Sequence, residues 1–236
     1  MTKILDCTTR DGGHTYNWEF SDEFILNHIK FLNCESVSYY EIGYRNHYDI
    51  EGKGCFYRCT PELIKPFYEQ KGNLKLGVMT DFSRYHAKDF AGRTQDYLDF
   101  VRVAVHPDKI SSALEISEDL HSKGYMVFLQ LMDVSSIEAD GYLQLYMWEN
   151  KNILESLYFA DSYSKLQPSD IPKYYNKLKI LGFDKISFHA HNNAGHAFEN
   201  SLAAVNLGAY SVDVTKDGIG RNGGNLDIAL IKEVLA

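Results

Sequence analysis

The sequence has few cysteines and no long apolar segment. Only 4 of its 236 residues are cysteines, and the spacing of Cys7, Cys34, Cys55 and Cys59 matches neither a disulfide framework nor a zinc knuckle. We therefore expect reduced thiols in a cytoplasmic protein, with a zinc-binding Cys55–Cys59 pair as the less favoured alternative. No apolar run approaches the roughly 20 residues that span a bilayer. Residues 1–13 turn polar too early for a signal peptide, so we expect no membrane partner.

An excess of basic residues is also lacking. The chain carries 24 Lys+Arg against 32 Asp+Glu, a formal net charge of −8 at pH 7. Nucleic acid is therefore not expected as the main partner, because binding a phosphate backbone needs a basic surface. A small anionic substrate held by one or two arginines remains compatible. The signatures G-x-S-x-G and the P-loop are absent as well.

Short β-branched or aromatic segments alternate with amphipathic ones along the chain. Thr60 and Pro61 have the order typical of a helix start, and Gly124, Gly182 and Gly208 stand where predicted helices end. The weakest predicted helix, over residues 83–97, has poor helical periodicity. The predicted strands cover residues 3–7, 37–44, 74–80, 99–106, 125–132, 156–160, 185–191 and 210–215.

Eight strands alternating with about eight helices predict an α/β fold, a (β/α)8 TIM barrel forming a single domain over residues 1–236. An open doubly wound sheet is the alternative. Barrels typically have about 250 residues, and the last predicted helix, residues 225–236, reaches the end of the chain. We therefore expect either a bare barrel or one that precedes a further C-terminal segment.

Several predicted strands are apolar on one side and polar on the other. In the fourth strand, Val101, Val103 and Val105 oppose Arg102 and His106. Buried charge is costly unless it is paired or bound to a metal, so polar interior positions near the carboxyl ends of the strands predict an active site there. The same division places Glu41 and Arg45 opposite Ile42 and Tyr44, Ser187, His189 and His191 opposite Ile186, Phe188 and Ala190, and Asp213 opposite Val212 and Val214.

The first candidate constellation is Thr-Arg-Asp-Gly-Gly-His at residues 9–14, directly after the first strand. The carboxylate of Asp11 suits Mg²⁺ or Mn²⁺, Arg10 can stabilise negative charge on an oxygen, and His14 can exchange protons near neutral pH. The alternative is a polar β-turn with an Arg10–Asp11 surface pair.

The second constellation is the H-x-H of His189 and His191. On a strand the two side chains share a side, with Cα atoms about 6.6 Å apart, which permits joint binding of one metal. In a closed barrel Asp11 would lie nearby, because only the eighth strand separates the first from the seventh. The alternative is two inward histidines satisfied by hydrogen bonds.

A glycine-rich segment, residues 216–225, precedes the last helix and forms a candidate anion site. The alternative is a flexible loop with Asn225 as the helix N-cap. The other histidines are expected to have no role in catalysis. We predict surface or loop positions for His28, His47, His86 and His121, and a structural helical position for His196.

These residues resemble the DRE-TIM metallolyases, in particular their 4-hydroxy-2-oxovalerate aldolase branch. LDCTTRDGGH is similar to the family's first-strand signature, and FHAHNNAGHAFENSLAAVNLGAYSVDVTKDGIGRNGGN to its seventh and eighth βα units. FVRVAVHPDK and FADSYSKLQP resemble the fourth and sixth strands of the aldolase branch. The resemblance implies a (β/α)8 barrel that binds one divalent cation, Mn²⁺ or Mg²⁺.

The resemblance also implies roles for individual residues. Asp11, His189 and His191 match the metal ligands, with His189 also at the substrate. Arg10 matches the arginine that binds substrate and stabilises the enolate oxygen of a 2-oxo acid, and His14 matches the catalytic base. Two further matches are to substrate-binding positions, Ser162 and Asn225, the latter a metal ligand in the lyase branch.

Some features depart from the aldolase pattern. Thr9 replaces a leucine and Gly13 a methionine. The aldolases also carry a C-terminal segment that docks an acylating aldehyde dehydrogenase and supplies a substrate tyrosine, and this chain ends before it. The resemblance therefore does not extend to that partner or to the usual substrate. A homo-oligomer or a fused C-terminal domain is a further expectation for this chain.

The predicted function is metal-dependent aldol cleavage or condensation of a 2-oxo acid through a pyruvate-type enolate. One alternative is a Claisen-type synthase or lyase that depends on acyl-CoA. Another is a metal-free Schiff-base aldolase, for which Lys216 is the candidate lysine. A further alternative is a non-catalytic or accessory barrel within a larger protein.

Overall fold

The computed structural model describes residues 1–235 and confirms the predicted barrel. Its eight strands are all parallel and close in sequence order, with the first strand pairing with both the second and the eighth. Every predicted strand is present, with ends that differ by one or two residues. The strands are β1 (Lys3–Asp6), β2 (Tyr39–Tyr44), β3 (Lys75–Asp81), β4 (Phe100–Val105), β5 (Met126–Leu131), β6 (Leu154–Asp161), β7 (Ile186–Ala190) and β8 (Ser211–Val214).

Eight helices surround the strands, although they do not alternate one to one. Two of them follow β1, and no α-helix lies between β3 and β4 in residues 1–235. There residues 82–99 form an irregular segment with a single 3₁₀ turn, so the helix predicted over residues 83–97 is wrong; its poor periodicity gives it no continuous apolar face. The helices are α1 (Thr8–Tyr16), α2 (Asp22–Cys34), α3 (Pro61–Tyr68), α4 (Ile110–Ser122), α5 (Ala139–Met147), α6 (Ile171–Ile180), α7 (Ala197–Asn206) and α8 (Ile228–Leu235).

The predicted helix ends are largely confirmed. The hydroxyl of Thr60 caps α3 by accepting from the backbone N–H of Leu63, and Pro61 is the first helical residue. Gly124, Gly182 and Gly208 have positive φ angles of 86°, 92° and 86°, which glycine adopts at little cost at helix ends.

The prediction that Asn225 caps the last helix is wrong. Helix α8 begins at Ile228, and Asn225 instead pairs with His191 in an isolated antiparallel bridge. The loop after β8 thereby lies against the carboxyl end of β7. This pairing brings the Asn225 side chain to the centre of the barrel end.

The barrel interior is divided into an apolar base and a charged upper part. An aromatic cluster from several strands fills the base; its members include Tyr39, Phe100, Phe128 and Tyr158. Above it lies Arg102, which is fully buried and has its guanidinium 4.9 Å from the Tyr158 ring centroid. The predicted outward valines of β4 pack in the separate cluster between the strands and the helices.

Three sequence predictions about polar positions are wrong. His106 does not face the interior, because β4 ends at Val105, and its side chain is 62% exposed beside Asp108. Arg45 lies outside the barrel, where it forms an ion pair with Asp96. His28, predicted at the surface, is buried and hydrogen-bonded to Asp6.

Arg45 lies outside the barrel because the pairing of β2 with β3 shifts register between Glu41 and Gly43. Such a bulge interrupts the alternation of sides. As a result Tyr44, predicted to face the helices, approaches the end of α1.

Among residues 1–235 no helix is both long and apolar enough to cross a membrane.

Candidate active site

Helix α1 carries three of the predicted site residues. The segment after β1 is a helix, so the polar β-turn is ruled out for it. The carboxylate of Asp6 holds its first turn by accepting from the backbone N–H and the hydroxyl of Thr8, at 3.0 and 2.8 Å. Arg10 and Asp11 are buried at the mouth of the barrel, and His14 follows about one turn later.

Gly13 is required by the packing of this helix. A Cβ atom at this position would lie 2.2 Å from the ring of Trp18, whose indole N–H donates to the carbonyl of Arg10 at 2.9 Å. The indole therefore occupies the space that a larger residue at position 13 would need. The departure from the methionine of the aldolase pattern thus has a local steric explanation.

A buried network of charged groups lies beneath the site. The carboxylate of Glu41 accepts from Nε of Arg10 and from Nε and Nη2 of Arg102, the latter two at 2.6 Å. Nη1 of Arg102 donates to Asp213, and Nη1 of Arg10 donates to Asp11 at 2.6 Å. Each arginine thus joins two carboxylates, and the network fixes the position of Arg10.

The two histidines of β7 face each other at the carboxyl end of the barrel. Their Nε2 atoms are 3.3 Å apart, and both side chains are buried. Nδ1 of His189 lies 2.7 Å from the carboxylate of Asp213. With a proton on that Nδ1, Nε2 carries a free lone pair. This is the tautomer found in metal-binding histidines that are oriented by a carboxylate.

Asp11 approaches this pair from the opposite side. Its Oδ2 atom lies 4.0 Å from Nδ1 of His191 and accepts from the Asn225 amide at 2.6 Å and from the backbone N–H of Arg221 at 3.2 Å. The three predicted ligands are therefore brought together as a continuous series of contacts. Asp11 lies on the Nδ1 side of the His191 ring and His189 lies on its Nε2 side, so the ligand atoms are close in pairs and do not meet at one point.

The chemistry of this group fits a divalent cation. Burial would raise the pKa of Asp11, but Arg10 and the two histidines outweigh it and hold that pKa well below its usual value. Burial lowers the pKa of His191 to about 3, with a further contribution from His189. An ionised carboxylate beside two imidazoles is a donor set that divalent first-row metals bind.

Two buried atoms of this group also lack a partner. Nδ1 of His191 and Oδ1 of Asn225 have no hydrogen bond within residues 1–235. Such atoms are rare in folded proteins and call for an explanation, of which a bound ion is one. Asp11, His189 and His191 are thus the residues that would hold a metal here.

His14 lies beside the network, with one side open to solvent. Its ring centroid is 4.7 Å from that of Trp18 and 6.5 Å from that of Tyr44. Desolvation among these rings lowers its pKa to about 4, and the positive charges of Arg10, Arg221 and Arg84 act in the same direction. The imidazole is therefore neutral near pH 7 and able to accept a proton.

The remaining predicted residues divide into two groups. Ser162 is buried just after β6, and its hydroxyl accepts from the backbone N–H of Asp133 at 3.0 Å. Its carbonyl lies 3.4 Å from Nη2 of Arg221, so Ser162 is connected to the loop that borders the site. Lys216 is directed away, with its ammonium 5.4 Å from the Phe31 ring of α2. This position provides no support for a Schiff-base role.

Sequence reasoning missed the supporting role of Glu41, Arg102 and Asp213. It placed them in the interior by alternation along the strands, but it did not assign them to the site. The signal was present, since a purely apolar core would not contain three charged residues on different strands. Their mutual pairing could only be seen in three dimensions.

Together, the parallel barrel and this buried group of arginines, carboxylates and histidines define a lyase-type TIM-barrel site. A model of the HMGL-like family matches residues 106–236, more than half of the chain. The chain belongs to this family and is a carbon–carbon lyase, and the resemblance to the DRE-TIM metallolyases is thereby confirmed. Enzymes of this family depend on a divalent metal.

Two curated relatives match nearly the whole chain. It is 27% identical over 246 residues to an oxaloacetate decarboxylase of Mycobacterium tuberculosis, covering 98% of this chain and 69% of the relative. It is 26% identical over 243 residues to a 4-hydroxy-2-oxovalerate aldolase of Carboxydothermus hydrogenoformans, covering 99% of this chain and 70% of the relative. The chain thus spans about 70% of the length of these proteins.

Solved structures support the fold. The N-terminal domain of a Bacteroides vulgatus protein assigned as an aldolase superposes with a TM-score of 0.84 at 24% identity, covering 99% of this chain and 79% of that one. A hydroxymethylglutaryl-CoA lyase from Pseudomonas aeruginosa superposes with a TM-score of 0.79 at 12% identity, covering 99% and 84%. At these identities the comparison establishes the shared barrel alone.

Proposed function

We propose that this chain is a divalent-metal-dependent aldolase that cleaves or forms a carbon–carbon bond of a 4-hydroxy-2-oxo acid. The observation that carries the proposal is the placement of Arg10, Asp11 and His14 on one helix beside His189 and His191. The 4-hydroxy-2-oxovalerate aldolase among the relatives supports this substrate class. All of these residues belong to one barrel, which we infer to be a single catalytic domain.

Asp11, His189 and His191 would hold the ion, Mn²⁺ or Mg²⁺. When bound, the ion would supply positive charge to the carboxylate and the 2-oxo oxygen of the substrate. Asn225 acts on Asp11 through its amide nitrogen at 2.6 Å, so we assign it to orienting the ligand. The hydroxyl proton of Ser162 is free to donate to the substrate, because its oxygen accepts from Asp133.

Arg10 is placed to stabilise negative charge that develops on the substrate. Its Nε and Nη1 atoms are taken up by Glu41 and Asp11, while its buried Nη2 has no hydrogen-bond partner in the described chain. This atom can donate to the oxygen of a forming enolate. Because the network below already fixes the guanidinium, little reorganisation is needed when the charge appears.

His14 acts as the base in this proposal. Its neutral imidazole takes the proton of the 4-hydroxyl group, the C3–C4 bond breaks, and an aldehyde leaves. The electron pair of that bond forms the enolate, whose oxygen receives the Nη2 hydrogen bond of Arg10. Protonation at C3 then gives a 2-oxo acid of the pyruvate type, and the reverse sequence forms the bond.

A second candidate is decarboxylation of a 2-oxo dicarboxylic acid, which is favoured by the oxaloacetate decarboxylase relative. It would produce the same enolate, with carbon dioxide leaving in place of the aldehyde. There is no hydroxyl proton to remove, so His14 would not be needed as a base. Replacement of His14 therefore separates the two reactions.

The test is pyruvate release from a panel of 4-hydroxy-2-oxo acids and from oxaloacetate, with Mn²⁺ and with EDTA. We expect His14→Ala to reduce aldol cleavage by about 10²–10⁴-fold and Asp11→Ala to reduce it further. His121→Ala, on the exposed surface of α4, is the matched control and should leave the rate unchanged. Undiminished turnover in EDTA would contradict the metal role.

The same substrate panel distinguishes the aldolase from a decarboxylase, a Claisen-type enzyme and an accessory barrel. Turnover of oxaloacetate that survives His14→Ala, with no cleavage of any hydroxy acid, would favour the decarboxylase. An absolute requirement for acyl-CoA would favour a Claisen-type enzyme. Absence of turnover on every substrate, despite bound metal, would favour an accessory barrel.

A further inference from the structure

A second group of metal-binding side chains lies outside the active site. It is formed by His47, in the loop after β2, and by His86 and Asp89, in the irregular segment after β3. Both loops lie at the carboxyl end of the barrel. We refer to these three residues as the loop cluster; it shares no residue with the proposed active site.

The geometry of the loop cluster is compact. One potential ligand atom from each residue lies within 4.8 Å of the other two. Nδ1 of His47 is 2.7 Å from Oδ2 of Asp89, and the rings of His47 and His86 stack with centroids 4.0 Å apart and planes inclined by 14°. Nδ1 of His86 is buried and has no hydrogen-bond partner in residues 1–235.

The donor set selects the class of ion. Two imidazoles and one carboxylate, the same donor types as in the proposed active site, suit first-row divalent ions such as Zn²⁺, Co²⁺ or Ni²⁺. With its Nδ1 proton donated to Asp89, His47 presents the lone pair of Nε2. The side chains of His47 and Asp89 are 29% and 22% exposed, so an ion can enter from solvent and keep a water ligand.

The position of the cluster gives it a structural purpose. Residues 82–99, after β3, contain no α-helix, and side-chain contacts hold this segment both to α4, through Tyr85 and Asp119, and to the loop after β2. Arg45 already joins the two loops, through the carbonyl of Asp89 at 2.8 Å and the carboxylate of Asp96 at 3.3 Å. An ion between His47, His86 and Asp89 would add a second cross-link.

We propose that the loop cluster binds a transition-metal ion of the zinc class and that this ion cross-links the two loops. The nearly parallel rings cannot both direct a lone pair to one ion, so one ring turns about its Cβ–Cγ bond on binding. The irregular segment after β3, which contains His86 and Asp89, also carries Arg84. Its guanidinium lies 4.7 Å from the ring centroid of Tyr44, which is near His14. The cross-link would thus restrict the motion of the loop residues on one side of the active site.

Two similar groups do not carry the same inference. Cys7, His189 and Asp213 also lie close together, but they belong to the active site, and Arg102 already pairs with Asp213. His106 forms a 2.6 Å contact with Asp108 at the surface, yet it has no second imidazole. The His106–Asp108 pair is therefore a matched control.

The experiment is metal counting and Co²⁺ titration of the purified chain. We expect two ions per chain in the unmodified protein and one in Asp11→Asn/His191→Gln, which isolates the loop cluster. In that background the Co²⁺ absorption bands should persist. Adding His47→Gln/His86→Gln should remove them and weaken Co²⁺ binding by at least about tenfold, whereas adding His106→Gln should change nothing.

In the Asp11→Asn/His191→Gln background, equal Co²⁺ affinity with and without the His47→Gln/His86→Gln change would overturn the proposal. Circular dichroism without metal verifies folding, and Asp89→Asn is a milder second variant that should also weaken binding. The outcome is independent of the proposed aldolase activity. With the active-site residues intact, His47→Gln/His86→Gln should still bind one ion and still turn over the 2-oxo acid.

Discussion

The buried carboxylate of Glu41 makes the sharpest prediction about stability. It is fully buried and accepts three charge-assisted hydrogen bonds, from Nε of Arg10 and from Nε and Nη2 of Arg102. Glu41→Gln keeps the shape but removes the charge and turns one acceptor into a donor that faces a guanidinium. Both arginines would then lose a buried counter-charge.

The expected loss is about 3–5 kcal/mol in the free energy of unfolding, the usual cost of breaking a buried ion pair on one side. Since whole domains are stable by about 5–15 kcal/mol, Glu41→Gln should remove a large share of the free energy of unfolding. Catalysis should fall as well, because Arg10 loses the partner that positions it.

The assay is urea unfolding followed by circular dichroism, with Glu35→Gln as the control. Glu35 pairs with Lys232 at the surface, where the lysine side chain is 44% exposed, so its loss should cost at most about 1 kcal/mol. A Glu41→Gln variant that is less than about 1 kcal/mol weaker than the wild type would refute the charge network as a source of stability.

Two further predictions concern pH. Because the pKa of His14 is lowered to about 4 and solvent on one side screens this effect, the acid limb of kcat/KM should lie between about 4 and the ordinary 6.5; a limb above 6.5 would contradict His14 as the base. Burial would raise the pKa of Asp99, but its bonds to Lys71, to the Leu76 backbone N–H and to Arg93 lower it. The stabilisation of the folded state by the Asp99 carboxylate is therefore present above about pH 4, the pKa of Asp in the unfolded chain, and is lost as the pH falls below that. Asp99→Asn should cost about 2–3 kcal/mol at pH 7 and progressively less toward pH 2 in urea titrations, whereas a cost that does not vary with pH would show that the carboxylate charge is unimportant.

Much of the fold could be predicted from the sequence, because the signals were local. All eight strands were found from short β-branched and aromatic segments, and the glycines at 124, 182 and 208 correctly predicted helix ends. The helix predicted after β3 was the weakest one because of its poor periodicity, and it is absent from the described residues. The helical state of residues 8–16 was not predicted, since two glycines and a polar composition favour a turn.

That helix depends on tertiary contacts. Trp18 covers Gly13, and the carboxylate of Asp6 holds the first turn. Similarly, the burial of His28 depends on its bond to Asp6, and the position of Tyr44 depends on the irregularity in β2. Neither follows from periodicity, which treats each strand as regular and each polar residue as solvated.

The candidate site was predictable as a set of residue types and not as a geometry. The family resemblance implied Arg10, Asp11, His14, His189 and His191, and the structure brings these side chains together at one end of the barrel. The coupling through Glu41, Arg102 and Asp213 required the closed barrel, because these residues come from β2, β4 and β8. Asn225 does not cap the last helix, as one reading of the sequence predicted; its side-chain amide donates to Asp11.

The proposed function requires that the helix after β1 and the H-x-H of β7 hold one cation between them. The most direct measurement is a crystal structure with Mn²⁺ and oxalate, an enolate mimic, in which anomalous scattering locates the ion. We predict a manganese ion bound by Asp11, His189 and His191 and in contact with oxalate. A manganese ion bound elsewhere, with these three side chains in their present positions, would contradict this metal site and the reaction proposed for it.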